Sequence, residues 1–229
     1  TFAAFPTTYA LMFSYLYTAL LLLLFSLIVR GVAFEFRGKM ESAEWKGAWD
    51  AAIVISSFLP ALLFGVAFGN IFAGLPMDAS GYHGGLLYLL NPYGILTGLL
   101  FVLLFAVHGS LYVTVKTVGE LSRRALEMAK LLWIPLLLVA VVFLGYTGYA
   151  TKLYDNYMKV PLLFVIPLIA VLSLVMVQAF MIVKKPLKAF AASCVTVLFV
   201  VFTGVTGLFP NLIPSTKDQI GRASCRERV

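Results

Sequence analysis

Pro92-Tyr-Gly-Ile-Leu-Thr-Gly-Leu-Leu-Phe-Val-Leu-Leu-Phe-Ala-Val-His-Gly-Ser-Leu-Tyr-Val-Thr-Val-Lys116 runs for 24 residues before its first charge, Lys116. An α-helix needs about 20 mostly apolar residues to cross roughly 30 Å of hydrocarbon, so this stretch reads as a membrane span. It opens on Asn91-Pro92, with Asn as N-cap and Pro at the first helical position. The preceding Ser80-Gly81-Tyr82-His83-Gly84-Gly85 is dense in glycine and reads as a loop. Comparable uncharged runs recur at Thr1–Val29, Ala51–Met77, Leu131–Thr151, Val160–Val183 and Ala189–Thr216. Six spans are predicted, near 7–29, 51–72, 92–115, 131–151, 160–183 and 189–210. The expected fold is an all-α polytopic transmembrane helix bundle forming one domain over residues 1–217.

Composition agrees. Of 229 residues, 62% are hydrophobic and 12% charged, with mean hydropathy +0.98; a soluble domain carries about 25% charged residues. Half that number cannot cover a water-facing surface. The net charge of +7 would suit nucleic acid in another context, but here the cations sit between spans, where they set orientation. Eleven of them (Arg30, Arg37, Lys39, Lys46; Lys116, Arg123, Arg124, Lys130; Lys184, Lys185, Lys188) follow spans one, three and five, whereas up to residue 219 only Lys152, Lys159 and Lys217 lie on the other side. This alternation is what six consecutive crossings require. It puts loops 30–50, 116–130 and 184–188 in the cytoplasm. No nucleic-acid partner is expected.

The two cysteines, Cys194 in an apolar run and Cys225 near the end, form neither a disulfide framework nor a metal-ligand spacing. The chain lacks an initial Met and a basic leader region, which reads as a fragment beginning in or just before a helix.

Packing signals come from Gly65-Val-Ala-Phe-Gly69 and Gly94-Ile-Leu-Thr-Gly98. Small residues four apart let membrane helices approach closely where lipid supplies no hydrophobic drive; ordinary glycine enrichment of membrane helices is the plainer reading of either motif alone. Trp45 and Trp49 share a helical face before the second span and read as an interfacial anchor rather than a binding site.

Ionisable residues inside spans are costly and mark function. Here Glu35, Glu41, Glu44, Asp50, Asp78, Glu120, Glu127, Asp155 and Asp218 all fall in loops or at boundaries, which counts against a proton-coupled transporter. His83 reads as a solvated loop residue. His108, late in the third span, is either an axial haem ligand or a hydrogen-bonded packing residue, the commoner case. No phosphate loop, nucleophile elbow or zinc spacing occurs. From the residues alone the chain is an integral membrane subunit, a secondary transporter or a fragment of one, or a structural assembly protein.

Further motifs narrow this. Gly31-Val-Ala-Phe-Glu35-Phe36-Arg37-Gly-Lys39 follows the first span, and Trp45-Lys-Gly-Ala-Trp49-Asp50 leads to Ser57-Phe-Leu-Pro60 and Gly65-Val-Ala-Phe-Gly69-Asn70. Leu89-Leu-Asn91-Pro92-Tyr93-Gly94 opens the third span, and His108-Gly109-Ser110-Leu-Tyr112 closes it. Lys116-Thr117-Val-Gly119-Glu120 and Phe209-Pro210-Asn-Leu-Ile-Pro214-Ser215 complete the series. In order and spacing these resemble subunit II of the cytochrome bd-type quinol oxidases, from about Thr1 to Lys217. The resemblance implies a non-haem subunit beside a larger haem-bearing subunit I, in a complex that oxidises quinol and reduces dioxygen to water. Haems b and d are then expected in the partner, and this chain is expected to bind no cofactor and to contribute no catalytic residue. Its other neighbours are membrane lipid and quinone, and the resemblance implies a bacterial or archaeal plasma membrane.

Two departures qualify the match. A first helix with a Gly-Phe-Asp type motif is absent, along with the acidic residues the family pattern would nominate for proton access, and so is a final helix. Structural or interface roles are expected for the matched residues. Glu35 and Arg37 pair with each other or with subunit I, Asp50 caps the second span, and Asn70 satisfies carbonyls at its end. Trp45, Trp49, Gly65, Gly69, Asn91, Pro92, His108 and Lys116 complete the set. The last ten residues, Ile220-Gly-Arg-Ala-Ser-Cys225-Arg-Glu-Arg-Val229, read as the translation of a sequencing adapter, a non-native tail over 220–229, rather than a basic tail on the outer side.

Overall fold

Backbone polarity dictates the architecture: in hydrocarbon every N–H and C=O must be bonded within its own segment, which a helix achieves alone. The computed structural model describes residues 6–75, 77–78, 81–82, 86–214 and 223–224. His83, Lys217, Asp218, Cys225 and most of the Ser80–Gly85 and Ile220–Val229 stretches lie outside them. Among the described residues the order is α1 (Pro6–Tyr15), α2 (Tyr17–Arg37), α3 (Ala43–Ala73), α4 (Leu86–Leu89), α5 (Pro92–Lys116), α6 (Glu120–Ala150), α7 (Asp155–Lys159), a 3-10 turn (Pro161–Phe164), α8 (Val165–Ile182) and α9 (Pro186–Leu208). Two short antiparallel pairs accompany them: β1 (Met77–Asp78) with β2 (Gly81–Tyr82), and β3 (Asn211–Ile213) with β4 (Ala223–Ser224). Six helices, α2, α3, α5, α6, α8 with its leading turn, and α9, are long and apolar enough to cross a membrane.

The helices outrun the apolar runs that identify them. α3 and α6 each have 31 residues, or about 46 Å at 1.5 Å per residue. Their charged ends continue the hydrogen-bond ladder past the hydrocarbon. The connections read as 30–50, 116–130 and 184–188 therefore shrink to Gly38–Ser42, Thr117–Gly119 and Val183–Lys185. The segment read as one span near 7–29 divides at Leu16, and its long helix runs on to Arg37. Arg30 thus lies within α2, its guanidinium 5.9 Å from the centre of the Phe34 ring. An uncharged sequence carries no mark of such a break, because every residue around Leu16 is equally at home in lipid.

Tight connections have local causes. Gly119 turns the chain between α5 and α6 at φ 72, a left-handed conformation that costs glycine nothing. Lys184 takes φ 56 after α8. Lys185 N donates to Phe180 O at 3.0 Å and Lys184 N to Met181 O at 3.3 Å, closing the helix as a Schellman motif.

Helix α5 is central, packing against α3, α6 and α9; α2 lies on the far side of α3, and α8 packs on α9 with lighter contact to α6. Leu100, Leu104, Val107 and Leu111 of α5 recur every three or four residues. They join Trp133 and Leu136 of α6, Leu174, Val177 and Met181 of α8, and Ala189 and Ala192 of α9 in the main core. The α2–α3 seam uses Ala19, Ser26 and Ala33 of α2, spaced by sevens, the period at which helices meet in a shallow crossing. A second core joins Tyr15, Leu16 and Ala19 to Val66, Ala67, Leu75, Leu89 and Ile213.

Candidate functional site

The most tightly built region is the joint between α3 and α5, where both glycine motifs meet. A Cβ on Gly65 would lie 2.7 Å from Gly98 Cα, one on Gly69 2.7 Å from Thr97 Oγ1, and one on Gly98 2.9 Å from Leu62 O. These approaches leave no room for a side chain, so each glycine is required by its partner helix. Thr97 turns its hydroxyl to Tyr93 O at 2.8 Å, hiding a polar atom within its own helix.

An asparagine pair locks one end of this joint. Asn91 accepts from Gly94 N at 2.7 Å through Oδ1, capping α5 with Pro92 at the first helical position. Its Nδ2 donates to Asn70 Oδ1 at 2.7 Å. Asn70, 1% exposed, donates to Val66 O at 2.8 Å and Leu89 O at 2.7 Å. The Leu89 bond reaches across to α4, so Asn70 ties two segments rather than only finishing its own helix.

At the opposite end, Arg37 grips Asp50 in a two-point ion pair, with Nη2 to Oδ2 at 3.1 Å. Glu35 pairs with Lys39 at 3.2 Å. The expected Glu35–Arg37 pairing is therefore replaced by one within the α2 end and one across to α3. Asp50 does not cap its helix: α3 begins at Ala43, two turns earlier, with Ser42 at the N-cap position. Trp45 Nε1 donates to Phe36 O at 2.8 Å, and the Trp45 and Trp49 rings meet edge to face at 5.6 Å. Phe36 also packs on Trp49 at 5.6 Å. These residues brace the hairpin between α2 and α3.

His108 lies 2.9 Å from Ser193 Oγ through Nδ1. Ser193 spends its one hydroxyl hydrogen on Phe190 O at 2.7 Å, which assigns the Nδ1 proton to His108, donating to Ser193. The imidazole stacks on Phe190 at 5.0 Å. The Nδ1 bond to Ser193 and the stacking on Phe190 make His108 a packing residue between α5 and α9. No group of three or more metal-ligating His, Cys, Asp or Glu side chains occurs among the described residues. Lys116, exposed, ends α5, where a cation suits the helix dipole.

Several polar ties carry no sequence signal beyond an isolated hydroxyl, amide or indole in an apolar run. Tyr93 and Thr147 join α5 to α6 at 2.9 Å, Ser173 and Thr196 join α8 to α9 at 2.9 Å, and Trp133 Nε1 donates to Leu174 O at 3.0 Å. On the connection after α6, Tyr157 is fully buried; its hydroxyl donates to Thr203 O at 2.7 Å, and desolvation holds its pKa up at about 12. Burial also raises that of Tyr154. Gln178 Oε1 is buried without a hydrogen-bond partner.

A family model described as cytochrome bd terminal oxidase subunit II matches residues 1–228. The chain is 32% identical over 247 residues to cytochrome bd-I ubiquinol oxidase subunit 2 of Escherichia coli K12, covering 94% of this chain and 65% of that protein. It is 30% identical, with the same coverage, to a probable cytochrome oxidase subunit 2 of Haemophilus influenzae. With cytochrome bd ubiquinol oxidase subunit 2 of Bacillus subtilis the identity is 36% over 156 residues, covering 68% of this chain and 46% of the relative. The chain thus spans about two thirds or less of the length of these relatives.

Proposed function

The chain belongs to the cytochrome bd terminal oxidase subunit II family, and from that premise we propose that it is the membrane scaffold of a quinol oxidase whose redox centres reside in a partner subunit. That partner carries haems b and d, oxidises quinol and reduces dioxygen to water. This chain supplies packed helices, lipid-facing surfaces and the contact on which the haem subunit is held. The observation that carries the reading is the family match along nearly the whole chain. The structure supports it in two ways. Several polar side chains within the spans tie one helix to another, which suits a scaffold. Long apolar faces stay uncovered, with Leu21, Leu24, Phe25 and Ile28 of α2 and Leu131, Leu138 and Val141 of α6 all exposed, as surfaces for lipid or another subunit require. The excess of cations at the α2–α3, α5–α6 and α8–α9 connections directs these into the cytoplasm of a bacterial or archaeal cell. The transporter reading is set aside, because the matched relatives bear oxidase names.

The test is affinity purification of the full-length protein from its native membrane by a tag on this subunit. A haem-bearing larger subunit and quinol-dependent oxygen uptake are expected in the same fraction. Recovery of the protein without any haem-bearing partner, together with unchanged quinol oxidase activity after its gene is deleted, would refute the proposal.

A further inference from the structure

At the end of the bundle opposite the cation-rich connections, a cavity of about 600 Å³ opens between the end of α3, the connection after α6 and the end of α9. Its walls are fastened. Asn156 Nδ2 donates to Thr206 O at 3.1 Å, Gly207 O at 3.2 Å and Phe209 O, Tyr157 reaches Thr203 O, and Leu75 N donates to Pro214 O at 3.0 Å. Lys152, Asp155 and Lys159 all line it, two cations and one carboxylate. Lys152 and Lys159 are the only lysines or arginines among the described residues at this end of the bundle, and neither forms an ion pair with a described residue. Charge sidedness alone would leave this end poor in cations, so both of its described lysines at one cavity, against the single carboxylate of Asp155, give that cavity a net positive lining.

The mouth is amphipathic. Phe209 and Tyr149, which line it, are 65% and 89% exposed. Aromatic side chains with apolar flanks are characteristic of the headgroup level. A free inorganic anion would have no use for that apolar rim, whereas acyl chains would.

We propose that this cavity seats the phosphate headgroup of an anionic phospholipid, with Lys152 and Lys159 as its cationic contacts and the exposed apolar rim receiving the acyl chains. The assignment of the leaflet rests on the orientation proposed above, but the lipid site does not, and it is tested without reference to sidedness. The full-length protein with its partner subunit is reconstituted with equal amounts of phosphatidylglycerol and phosphatidylethanolamine, extracted mildly, and its retained lipids are counted by native mass spectrometry.

The unaltered protein is expected to retain phosphatidylglycerol preferentially. The Lys152→Gln/Lys159→Gln double variant should lose that preference by roughly tenfold, since each surface cation contributes appreciably to anionic-lipid attraction. Lys152→Arg/Lys159→Arg should keep it, which separates loss of charge from misfolding, and Lys184→Gln/Lys185→Gln at the other end should not change it. Equal retention of the two lipids, an unchanged preference in the double Gln variant, or displacement of the lipid by millimolar inorganic phosphate would each overturn the proposal.

Discussion

Asn91 donates through Nδ2 to Asn70 Oδ1 at 2.7 Å, joining two amides that lie 21 residues apart in the chain. The Oδ1 of Asn91 is simultaneously the N-cap of α5. One side chain thus sets where α5 begins and what it begins against. Asn70 completes the arrangement by donating to two carbonyl oxygens.

Removing Asn70 should therefore cost more than one hydrogen bond. Asn70→Ala is expected to destabilise the folded chain by about 1–3 kcal/mol, the range for leaving buried polar groups unpaired. Individual side-chain bonds in membrane proteins average nearer 0.6 kcal/mol. Asn70→Asp should be worse at neutral pH, because an ionised carboxylate offers no donor to Val66 O and Leu89 O. Reversible unfolding in mixed micelles measures both, and a wild-type midpoint for Asn70→Ala would contradict the argument.

The glycine contacts give a sharper contrast. Gly65→Ala and Gly98→Ala place a methyl against backbone atoms less than 3 Å away, so the two helices must separate, at about 1–3 kcal/mol. Gly109→Ala and Gly31→Ala meet nothing within 4 Å and should be neutral or slightly stabilising through helix propensity, by at most about 1 kcal/mol. Thermal midpoints of the four variants should fall into these two groups.

Gln178 offers a test in the stabilising direction. Its buried Oε1 has no partner, so Gln178→Met keeps the volume and removes the unsatisfied carbonyl. A gain of up to about 1 kcal/mol is expected; a clear loss of stability would show that the amide is satisfied in the assembled membrane protein.

His108→Leu breaks the tie to Ser193 but removes no proposed haem ligand. In the full-length oxidase its reduced-minus-oxidised spectrum should match wild type in haem content per complex, with at most a modest fall in thermal stability. Loss of one haem signal would make His108 an axial ligand.

Tyr157 makes stability depend on pH in the alkaline range. Burial raises its folded pKa to about 12, whereas the unfolded side chain titrates near 10. Its contribution is fully present below pH 10 and is lost as pH rises from about 10 to about 12, because only the unfolded state sheds the proton easily. Denaturation midpoints measured across that window should fall less steeply in Tyr157→Phe than in wild type.

Much of the architecture was legible from residue order. Pro92–Lys116 is a span because 24 uncharged residues cannot be hydrated and cannot expose backbone to lipid, and the Asn91-Pro92 cap follows from side-chain chemistry within one turn. Helix ends were less legible: α3 starts at Ala43 rather than near residue 51, since hydropathy marks where lipid ends and not where hydrogen bonding ends. Asp50 consequently lies two turns inside α3, where it pairs with Arg37 instead of capping the helix.

The sequence by itself determined the six apolar crossings, the bias of charge to one end and the family, since each depends on composition, local pattern or motif order. Only the tertiary structure decided that the two glycine motifs face one another, that Asn70 meets Asn91, and that His108 is held by Ser193 85 residues away. The reason is physical. Lipid solvates every apolar helix face about equally well, so hydropathy does not say which face meets which neighbour. That choice falls to close backbone contact and to a few polar side chains, whose partners are brought together only when the helices pack.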